Sequence, residues 1–491
     1  MKSWLSTLSL DKFFMIFWGL FFFTLPVTSF PYFPSGIGGK TLVRPLALYP
    51  LIIIFVIVIL PRLFKRQLPA TFLPLFAFTV AALISSIIAF SFELESLRGV
   101  TLSSRFIRNI ATLGIGIAFY LTSVLLHNNW QQLKFSLRWI YLGFSLALLW
   151  GSLQAAYVAF YTPSYFKLIN HLQTFVSTRK LFPTRISGLT YEPKWFAEQI
   201  CILLLPWLMS SILTGRSVFT WRRKWLTVEW LLLIWSIIIL VFTFSRTGLA
   251  ILGVLVVVGY IIIRSRTKDA QKPVRNGRKF WLFLELSLLV GGILAVFFIV
   301  GSQNPYFSRF WRYFTEARQR NRTYFEYIAF QQRFVYLETA INIFAAYPAF
   351  GVGLGNYAFF FDEMLPVRIY SQPEVIRQST PTEERDSLIT PKNLLARLLA
   401  ETGLLGTITF LGFVTAVAGC AAALWFNKGP EEQFWGIGGV LALIVFSILI
   451  FTFDSFAIPN MWIVFGLITS AAHLNHLPFD EVKNPSFTPP G

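Results

Sequence analysis

Four short polar patches contain the residues of this chain that are best suited to chemistry. Three are RISGLTYEP (Arg185–Pro193), SRTG (Ser245–Gly248) and PKNLLARLLAETGLLG (Pro391–Gly406); the fourth begins at Arg333 and runs into YPAFGVGLGNYAFF. A guanidinium binds phosphate oxygens through two parallel hydrogen bonds, and an ammonium binds them as a point charge. The patches therefore indicate an anion site if the fold brings together their cations, which are Arg185, Arg246, Arg333 and Lys392.

The first two patches also have a purely structural interpretation, which the sequence leaves open. Arg246 can lie at a membrane interface with the apolar part of its side chain buried. Glu192 precedes a proline, which is a favoured first residue of a helix, and can complement the positive end of that helix. Alternatively, Arg185 and Tyr191 face a polar cavity and bind a ligand there.

The last two patches contain further features with a structural explanation. Arg397 and Glu401 are spaced i, i+4, so they can neutralise each other inside a membrane. The glycines of GVGLG are not a phosphate-binding P-loop, because no GK[ST] follows, and they lack the βαβ setting of a dinucleotide site. Gly351, Gly353 and Gly355 instead predict a close approach between backbones.

The histidines and cysteines do not indicate a metal, a disulfide or a redox cofactor. The two cysteines lie in separate apolar runs, and the four histidines lie outside the patches without metal-ligand spacing. We therefore expect no metal and no cofactor. Asp454, at the end of a late apolar run, is interpreted as an isolated carboxylate and a minor candidate.

The composition is that of a membrane protein. Of 491 residues, 55% are hydrophobic and only 13% are charged, whereas soluble domains have about 25% charged residues. The fold class predicted is all-α, a polytopic helical membrane protein with about 12 transmembrane helices and one large extracytoplasmic loop. The net charge of +19 does not indicate nucleic-acid binding, because the cations gather in short loops between apolar runs.

Each apolar run of sufficient length predicts a membrane span, and the start of the chain is interpreted as the first span rather than a signal peptide. The predicted spans are Phe13–Phe30, Pro45–Leu60, Phe72–Phe90, Ile110–Leu126, Ile140–Phe160, Trp195–Leu213, Trp225–Phe244, Leu249–Ile263, Phe280–Val300, Leu394–Phe426, Phe434–Phe453 and Ile458–Leu474. This divides the chain into nine spans (1–301), a large loop (302–393), three spans (394–475) and a tail (476–491).

Charge sorting predicts the orientation of these segments. The loop Arg264–Lys279 has seven Lys/Arg and one Asp, which places it in the cytoplasm, whereas 302–393 is nearly balanced with ten Lys/Arg and nine Asp/Glu. Both termini are then cytoplasmic and the large loop is outside. The cations of all four patches fall on the outer side as well. Because cations there oppose the sorting rule, we expect a ligand to explain them.

The four patches in this order, with a large outer loop before the last three spans, resemble the O-antigen ligase and polymerase superfamily of bacterial envelope enzymes. The resemblance implies a metal-independent glycosyltransferase of the bacterial inner membrane. Such an enzyme transfers a glycan from undecaprenyl pyrophosphate to a lipid or saccharide acceptor. It also implies that outer arginines hold the pyrophosphate, and Arg185, Arg246 and Arg333 match those positions. Membrane lipids are the remaining expected partners.

One pair of residues departs from the family pattern. Ligases of this family typically have His-Asn where this sequence has Lys392-Asn393, and the resemblance makes this pair the expected catalytic position. Lysine is a poor base unless its pKa falls far, but it is a good partner for a pyrophosphate. Lys392 is therefore interpreted as stabilising the leaving group, with another group activating the acceptor.

Two other functions are compatible with these residues. An anion transporter of the bicarbonate type would also use outer cations, although no inverted repeat or matching pair of broken helices is evident. A non-catalytic protein of envelope polysaccharide assembly is the other alternative, because the family histidine is replaced. A gel of surface polysaccharide from a deletion strain distinguishes both alternatives from glycan transfer.

Overall fold

The computed structural model describes residues 2–34, 42–65, 67–223, 226–269, 330–366, 388–427 and 429–476, together with isolated positions between 291 and 324 and residues 375–376. These parts of the chain are predominantly helical, as predicted. The continuous helices, numbered in chain order, are α1 Lys2–Phe23, α2 Leu48–Leu63, α3 Phe72–Ile88, α4 Leu102–Leu125, α5 Trp130–Ala159, α6 Pro163–Val176, α7 Pro193–Thr214, α8 Val228–Phe242, α9 Arg246–Asp269, α10 Gln331–Ala346, α11 Leu394–Phe426, α12 Pro430–Leu449 and α13 Asn460–His476.

Short irregular elements accompany these helices. Helices α2 and α7 each contain one π-helical turn, at Phe55–Ile59 and Ile200–Leu204, and a 3₁₀ turn Ala89–Phe92 extends α3. A second 3₁₀ turn follows α10 at Tyr357–Phe359. Two-residue strands, β1 Arg222–Arg223 and β2 Leu226–Thr227, pair antiparallel. The strands join α7 to α8 and carry none of the predicted site residues.

Seven helices in the described parts of the chain are long and apolar enough to cross a membrane. They are Phe72–Phe92, Leu102–Leu125, Trp130–Ala159, Pro193–Thr214, Arg246–Ser265, Leu394–Phe426 and Pro430–Leu449, and each coincides with a predicted span. Three shorter apolar helices, Phe13–Phe23, Leu48–Leu63 and Val228–Phe242, overlap three further predictions. The predicted span Ile458–Leu474 overlaps α13, which is neither among the seven nor among the three. The predicted span Phe280–Val300 and most of the predicted loop 302–393 lie outside the described residues, so the total of twelve stays a prediction.

The start of one helix near the site differs from the sequence-based expectation for a physical reason. Helix α4 begins at Leu102 rather than Ile110, because the Thr101 hydroxyl accepts a hydrogen bond from Ser104 N at 3.3 Å and caps the helix earlier. Its first turns therefore contain Arg105 and Arg108, which the prediction had left in a loop. Helix α6 lies between the predicted spans Ile140–Phe160 and Trp195–Leu213, where the sequence predicted no helix.

The connecting segments separate into two groups at opposite ends of the helices. At one end, Glu431 pairs with Lys134 at 2.6 Å and with Arg216 at 3.8 Å. At the other, Leu394 N donates to Ile450 O at 2.8 Å, and Ile186 N donates to Phe242 O at 3.3 Å. We call these the Glu431 end and the Lys392 end. All four cationic patches lie at the Lys392 end, as the alternation of spans predicts.

Helix α11 is the central packing element. It packs against α3, α10, α12 and α13 and is interrupted at Gly403, whose φ is 61° and ψ is −161°. The glycine-rich segment after α10 inserts at this interruption. Val352 N donates to Ala400 O at 3.0 Å, and Leu404 N donates to Pro348 O at 2.8 Å. Backbone N–H and C=O groups that the interruption of α11 would leave unpaired therefore form hydrogen bonds with the backbone of the glycine-rich segment.

Glycine is required in the inserted segment. The close approach between backbones that the three glycines predicted is present there. Gly351, Gly353 and Gly355 have φ values of 68°, 93° and 85°. A Cβ at Gly351 would lie 2.6 Å from Ala400 O, and one at Gly355 would lie 1.9 Å from Asn109 Nδ2. The segment Gly351–Gly355 therefore fixes where α10 is held relative to α11.

Substitution Gly351→Ala is expected to destabilise the fold by about 1–3 kcal/mol, because it adds left-handed strain and a contact with backbone that cannot move aside. The matched control is Gly114→Ala in α4, where a Cβ meets nothing within 4 Å. That change is expected to be neutral or stabilising by about 0.5–1 kcal/mol. Thermal unfolding of the two purified variants measures the difference, and equal melting temperatures would contradict the assigned role of Gly351.

Candidate functional site

A cavity of about 500 Å³ opens at the Lys392 end. Six of the seven predicted site residues line it, namely Arg185, Glu192, Arg246, Arg333, Lys392 and Asn393. The seventh, Tyr191, is not part of the lining. Its ring packs on Trp195, with ring centroids 5.8 Å apart. We call this space the cationic cavity, because its lining also includes Lys194 and contains a single carboxylate among the described residues.

Four helices begin at the cationic cavity. Residues in or next to the first turn of α7, α9, α10 and α11 line it. A helix N-terminus carries about half a positive charge from its unpaired N–H groups and therefore binds anions. Each of these N-termini also carries a cation, which opposes the helix dipole unless an anion lies between them. The cations are Lys194 on α7, Arg246 on α9, Arg333 on α10 and Lys392 immediately before α11.

The two arginines of the first two patches are held by one short connection. Only residues 243–245 lie between α8 and α9, so Arg246 is the first residue of α9. Within that connection Phe244 has a left-handed φ of 48°. The backbone carbonyl of Thr243 accepts a hydrogen bond from Arg185 Nε at 3.0 Å. The connection therefore fixes Arg246 through the chain and Arg185 through this hydrogen bond.

Arg333 approaches the cavity from the third position of α10. Its Nη1 is buried and has no hydrogen-bond partner among the described residues. A buried donor on a charged group costs more to leave unpaired than a neutral donor does. The position is therefore suited to a group that arrives from outside the chain, such as a phosphate oxygen.

Lys392 and Asn393 occupy the turn that leads into α11. Lys392 has a φ of 57°, an unusual value for a residue other than glycine. Asn393 is the N-cap of α11, and its Oδ1 accepts a hydrogen bond from Ala396 N at 3.0 Å. The turn places Lys392 in the lining of the cationic cavity, while the Asn393 side-chain oxygen stabilises the helix.

The interpretation of Asp454 as an isolated carboxylate was wrong. Its Oδ2 accepts a hydrogen bond from Lys392 N at 2.9 Å, and Arg397 Nη1 donates to its backbone oxygen at 2.5 Å. Burial by itself raises the pKa of the carboxyl, but Arg397 and then Lys392 outweigh it, so the pKa lies below its ordinary value. Asp454 therefore stays ionised and holds the turn at Lys392 in place.

Sequence reasoning missed Lys194. This residue lines the cationic cavity, pairs with the buried Glu198 at 3.3 Å and donates to Thr452 O. A signal was present in the sequence, because Lys194 follows Pro193 directly at a helix start on the side where cations are disfavoured. The same argument that selected Lys392 would have selected it.

Glu192 and Tyr191 share a neighbour outside the cavity. Arg179 Nη1 lies 3.5 Å from Glu192 Oε1, and its guanidinium carbon lies 4.8 Å from the centroid of the Tyr191 ring and 4.3 Å from that of Phe182. Both carboxylate and guanidinium are partly exposed, so the pair contributes little to stability. Its effect is to orient the Glu192 carboxylate at the mouth of the cavity.

Arg397 and Glu401 form the ion pair that their spacing predicted. Arg397 Nε lies 2.8 Å from Glu401 Oε2, and both side chains are buried. Neither lines the cationic cavity. The Glu401 carboxylate also accepts Gly355 N at 2.6 Å. This pair therefore joins α11 to the glycine-rich segment, and the structural interpretation of it is the one supported by its contacts.

Comparison with known proteins identifies one family. Residues 231–411 match a family model described as O-Antigen ligase. The matched region contains Arg246, Arg333, Lys392 and Asn393, whereas Arg185 and Lys194 precede it. A search of curated proteins found no match.

Proposed function

Because residues 231–411 place this chain in the O-antigen ligase/polymerase superfamily, we propose that it transfers a glycan from an undecaprenyl pyrophosphate carrier to a lipid or saccharide acceptor. The family and the apolar helices make it a multi-pass inner-membrane enzyme of the O-antigen ligase type. We infer in addition the donor, the acceptor class, the outer face of the membrane as the place of transfer, and the residues that carry it out.

The observation that carries the proposal is the convergence of four helix N-termini and five cations on one cavity. The cations are Arg185, Lys194, Arg246, Arg333 and Lys392. A pyrophosphate diester carries two negative charges, which such a surface binds through charge-assisted hydrogen bonds. The volume of about 500 Å³ is in the range of small-molecule sites and accommodates more than the pyrophosphate.

In the proposed reaction, an acceptor hydroxyl oxygen attacks the anomeric carbon of the carrier-linked sugar. A new C–O bond forms, the bond between that carbon and the pyrophosphate oxygen breaks, and the electron pair leaves with undecaprenyl pyrophosphate. The leaving group needs charge stabilisation more than protonation, and preorganised cations provide it. Arg246, Arg333 and Lys392 have this role, with Arg185 and Lys194 beside them.

The hydroxyl proton also needs an acceptor. Glu192 is the one carboxylate that lines the cationic cavity among the described residues, and its partner Arg179 lies outside the cavity. We assign to Glu192 the removal of this proton and to Tyr191 the support of the Arg179–Glu192 pair. Lys392 then stabilises the leaving group at the position where related ligases have histidine. These steps require no metal ion.

The proposed topology places the cationic cavity on the outer face. Segments 1–301 and 394–475 hold the spans, 302–393 lies outside, and both termini with the tail 476–491 are cytoplasmic. The presence of all four cationic patches at the Lys392 end supports this arrangement. The glycan, which is carried on the outer side, then reaches the cavity without crossing the membrane.

The proposal is tested by deleting the gene and separating the surface polysaccharide on a gel. Full-length chains that remain on the carrier lipid would identify a ligase, and single repeats would identify a polymerase. The parent gene supplied in trans restores the pattern and serves as the control. Normal surface glycan in the deletion strain would refute the proposal and favour the transport or assembly hypothesis.

Substitution Lys392→Gly removes the charge of this residue and keeps its left-handed backbone conformation, so it tests the contribution of the charge alone. Glycine adopts the left-handed φ of 57° without cost, so the turn and α11 are expected to form as in the parent. Glycan transfer is expected to fall by at least about tenfold, because one charge contact to the leaving group is lost. The measurement is the polysaccharide gel, normalised to protein amount.

Lys392→Arg and Lys392→His are the companion variants. Arginine keeps the charge and is expected to retain most of the transfer. Histidine is expected to be tolerated, because it can bind phosphate or act as a base. If Lys392→Gly transfers glycan as well as the parent, Lys392 has no part in the site.

A further inference from the structure

Helix α6 has three faces of different character along its length. Ile169 and Gln173 are buried. Two further faces are exposed, and each is a stripe with the spacing of three and four residues that places side chains on one side of a helix. The apolar stripe consists of Leu168 (54% exposed), Leu172 (39%) and Phe175 (52%). The polar stripe consists of Lys167, His171 and Thr174. A helix whose exposed side met only water would have polar residues in both stripes.

Contacts of the buried face fix α6 against α5. The Gln173 side-chain oxygen accepts hydrogen bonds from Trp150 Nε1 at 2.9 Å and from Gln154 Nε2 at 3.0 Å. The Tyr165 hydroxyl donates to Leu153 O at 2.9 Å. These α5 residues all precede the last turn of that helix, which is long and apolar enough to cross a membrane. Helix α6 therefore lies alongside the last turns of a predicted span rather than beyond its end.

The same contacts show which exposed stripe faces the middle of the span. Tyr165 lies on the side of α6 that carries the apolar stripe, and its hydroxyl reaches Leu153. Asn170 lies on the side that carries the polar stripe, and its Oδ1 accepts a hydrogen bond from Leu181 N at 3.0 Å. Leu181 belongs to one buried cluster with Tyr157, which is one turn nearer the end of α5 than Leu153. The apolar stripe therefore faces the middle of the span, and the polar stripe faces away from it.

The apolar stripe of α6 continues a surface of α5 that is suited to lipid. Exposed leucines at a spacing of three and four form one stripe along α5, namely Leu142, Leu146, Leu149 and Leu153. Arg138, the last charged residue of α5, precedes Leu153 by about 22 Å along the helix, which is less than the hydrocarbon thickness of about 30 Å. Acyl chains can therefore contact this whole stripe, and α6 lies at its end.

We propose that α6 is an interfacial helix whose partner is the surface of the lipid bilayer at the Lys392 end. Its apolar stripe enters the boundary of the acyl chains, and Lys167 lies among the lipid phosphates. Helix α6 ends three residues before Arg179, which pairs with Glu192 at the mouth of the cationic cavity. The bilayer thereby fixes the level of this mouth. The contact between α6 and lipid does not depend on glycan transfer.

Spin labels on the purified full-length chain in phosphatidylcholine vesicles test this contact without any glycan. Labelled cysteines replace Leu168 and Leu172 on the apolar stripe and His171 on the polar stripe. Native Cys420 is replaced by alanine, whereas the buried Cys201 is retained, and the chain without a new cysteine gives the background signal. Power saturation measures how accessible each label is to oxygen, which concentrates among acyl chains, and to a nickel–EDDA complex, which stays in water.

The ratio of oxygen to nickel accessibility is expected to be at least about threefold higher at Leu172 than at the adjacent His171, because an interfacial helix buries its apolar side about 5–10 Å deep. Leu168 is expected to agree with Leu172. Leu149→Cys on α5 is the control for lipid contact, and Lys180→Cys, an exposed position after α6, is the control for water.

Three outcomes would overturn the interfacial position of α6. Equal ratios at Leu172 and His171 would show that the two stripes do not meet different surroundings. Nickel accessibility at Leu168 and Leu172 as high as at Lys180 would place the apolar stripe in water. Low accessibility of both labels to both reagents would show that another segment of the chain or a second copy covers the stripe instead of lipid.

Discussion

Replacing Arg246 with alanine is expected to lower glycan transfer by about 10²- to 10³-fold, the cost of removing one preorganised donor from a developing negative charge. Arg246 begins α9 and lines the cationic cavity together with Arg185 and Arg333. Only residues 243–245 connect it to α8, so its backbone position is fixed before any ligand binds. The loss should appear in transfer measured at saturating donor as well as in donor affinity, because the leaving group gains charge as the bond breaks.

The same substitution is expected to leave the amount of folded protein unchanged. A cation in the first turn of a helix opposes the helix dipole by about 0.3–1 kcal/mol, so its removal relieves an unfavourable term in the unliganded protein. Activity and stability therefore change independently. This separates a ligand-binding role for Arg246 from the alternative of an interfacial arginine that only anchors the helix.

Two comparisons make this experiment decisive. Arg246→Lys keeps the charge but loses two-point binding of phosphate, so its transfer is expected to lie between the parent and Arg246→Ala. Lys180→Ala removes an exposed cation outside the cavity and is expected to transfer glycan normally. Arg185→Ala is expected to behave like Arg246→Ala. Normal surface glycan in both arginine variants would exclude the pyrophosphate site proposed here.

The helices of this protein could be predicted from sequence because the length and hydropathy of an apolar run are enough to predict a membrane-spanning helix. The span Leu394–Phe426 was predicted with the bounds that the structure has, and the cationic patches were predicted to lie at one end of the spans. Both inferences need only local hydropathy and the alternation of direction along the chain. The pairing of Arg397 with Glu401 was also predictable, because both lie on one helix face.

The remaining parts of the site depend on contacts between distant segments. Asp454 looked isolated in the sequence, but it accepts a hydrogen bond from Lys392, which is 62 positions earlier. The glycine-rich segment predicted a close approach between backbones, but only the structure shows that its partner is the interrupted helix α11. Helix α4 was predicted to begin too late because its first turns contain arginines, which a hydropathy pattern assigns to a loop. A single sequence does not show which residues far apart in the chain will be in contact in the fold.

Replacing Glu401 with alanine is expected to have the largest effect on stability, a loss of about 3–5 kcal/mol. Its side chain is 1% exposed and accepts hydrogen bonds from Arg397 Nε and Gly355 N. Alanine would leave a buried guanidinium and a buried N–H without this acceptor. Because typical folds are stable by about 5–15 kcal/mol, such a loss should markedly reduce the amount of folded protein.

Two further variants and a control distinguish the cost of an unpaired Arg397 charge from the cost of losing the Glu401 side chain. Glu401→Gln keeps an oxygen for Gly355 N but removes the ion-pair partner of Arg397 on α11, so it should be less harmful than alanine. The pair Arg397→Met with Glu401→Gln removes the charge as well and is expected to recover part of the loss, since a buried ion pair is often replaceable by uncharged groups. Glu338→Ala, on an exposed position of α10, is the matched control and should be within about 0.5 kcal/mol of the parent.

Thermal unfolding in detergent, followed by size-exclusion chromatography with fluorescence detection, measures these differences. Glu401→Ala is expected to unfold at least several degrees below the parent, on the order of 5 °C or more. The double variant is expected to lie above the single alanine variant. If Glu401→Ala melts at the parent temperature, the junction between α11 and the Gly351–Gly355 segment does not depend on this carboxylate. The position of Arg333 on α10 and of Lys392 before α11 would then be maintained by the backbone contacts at Ala400 and Leu404 alone.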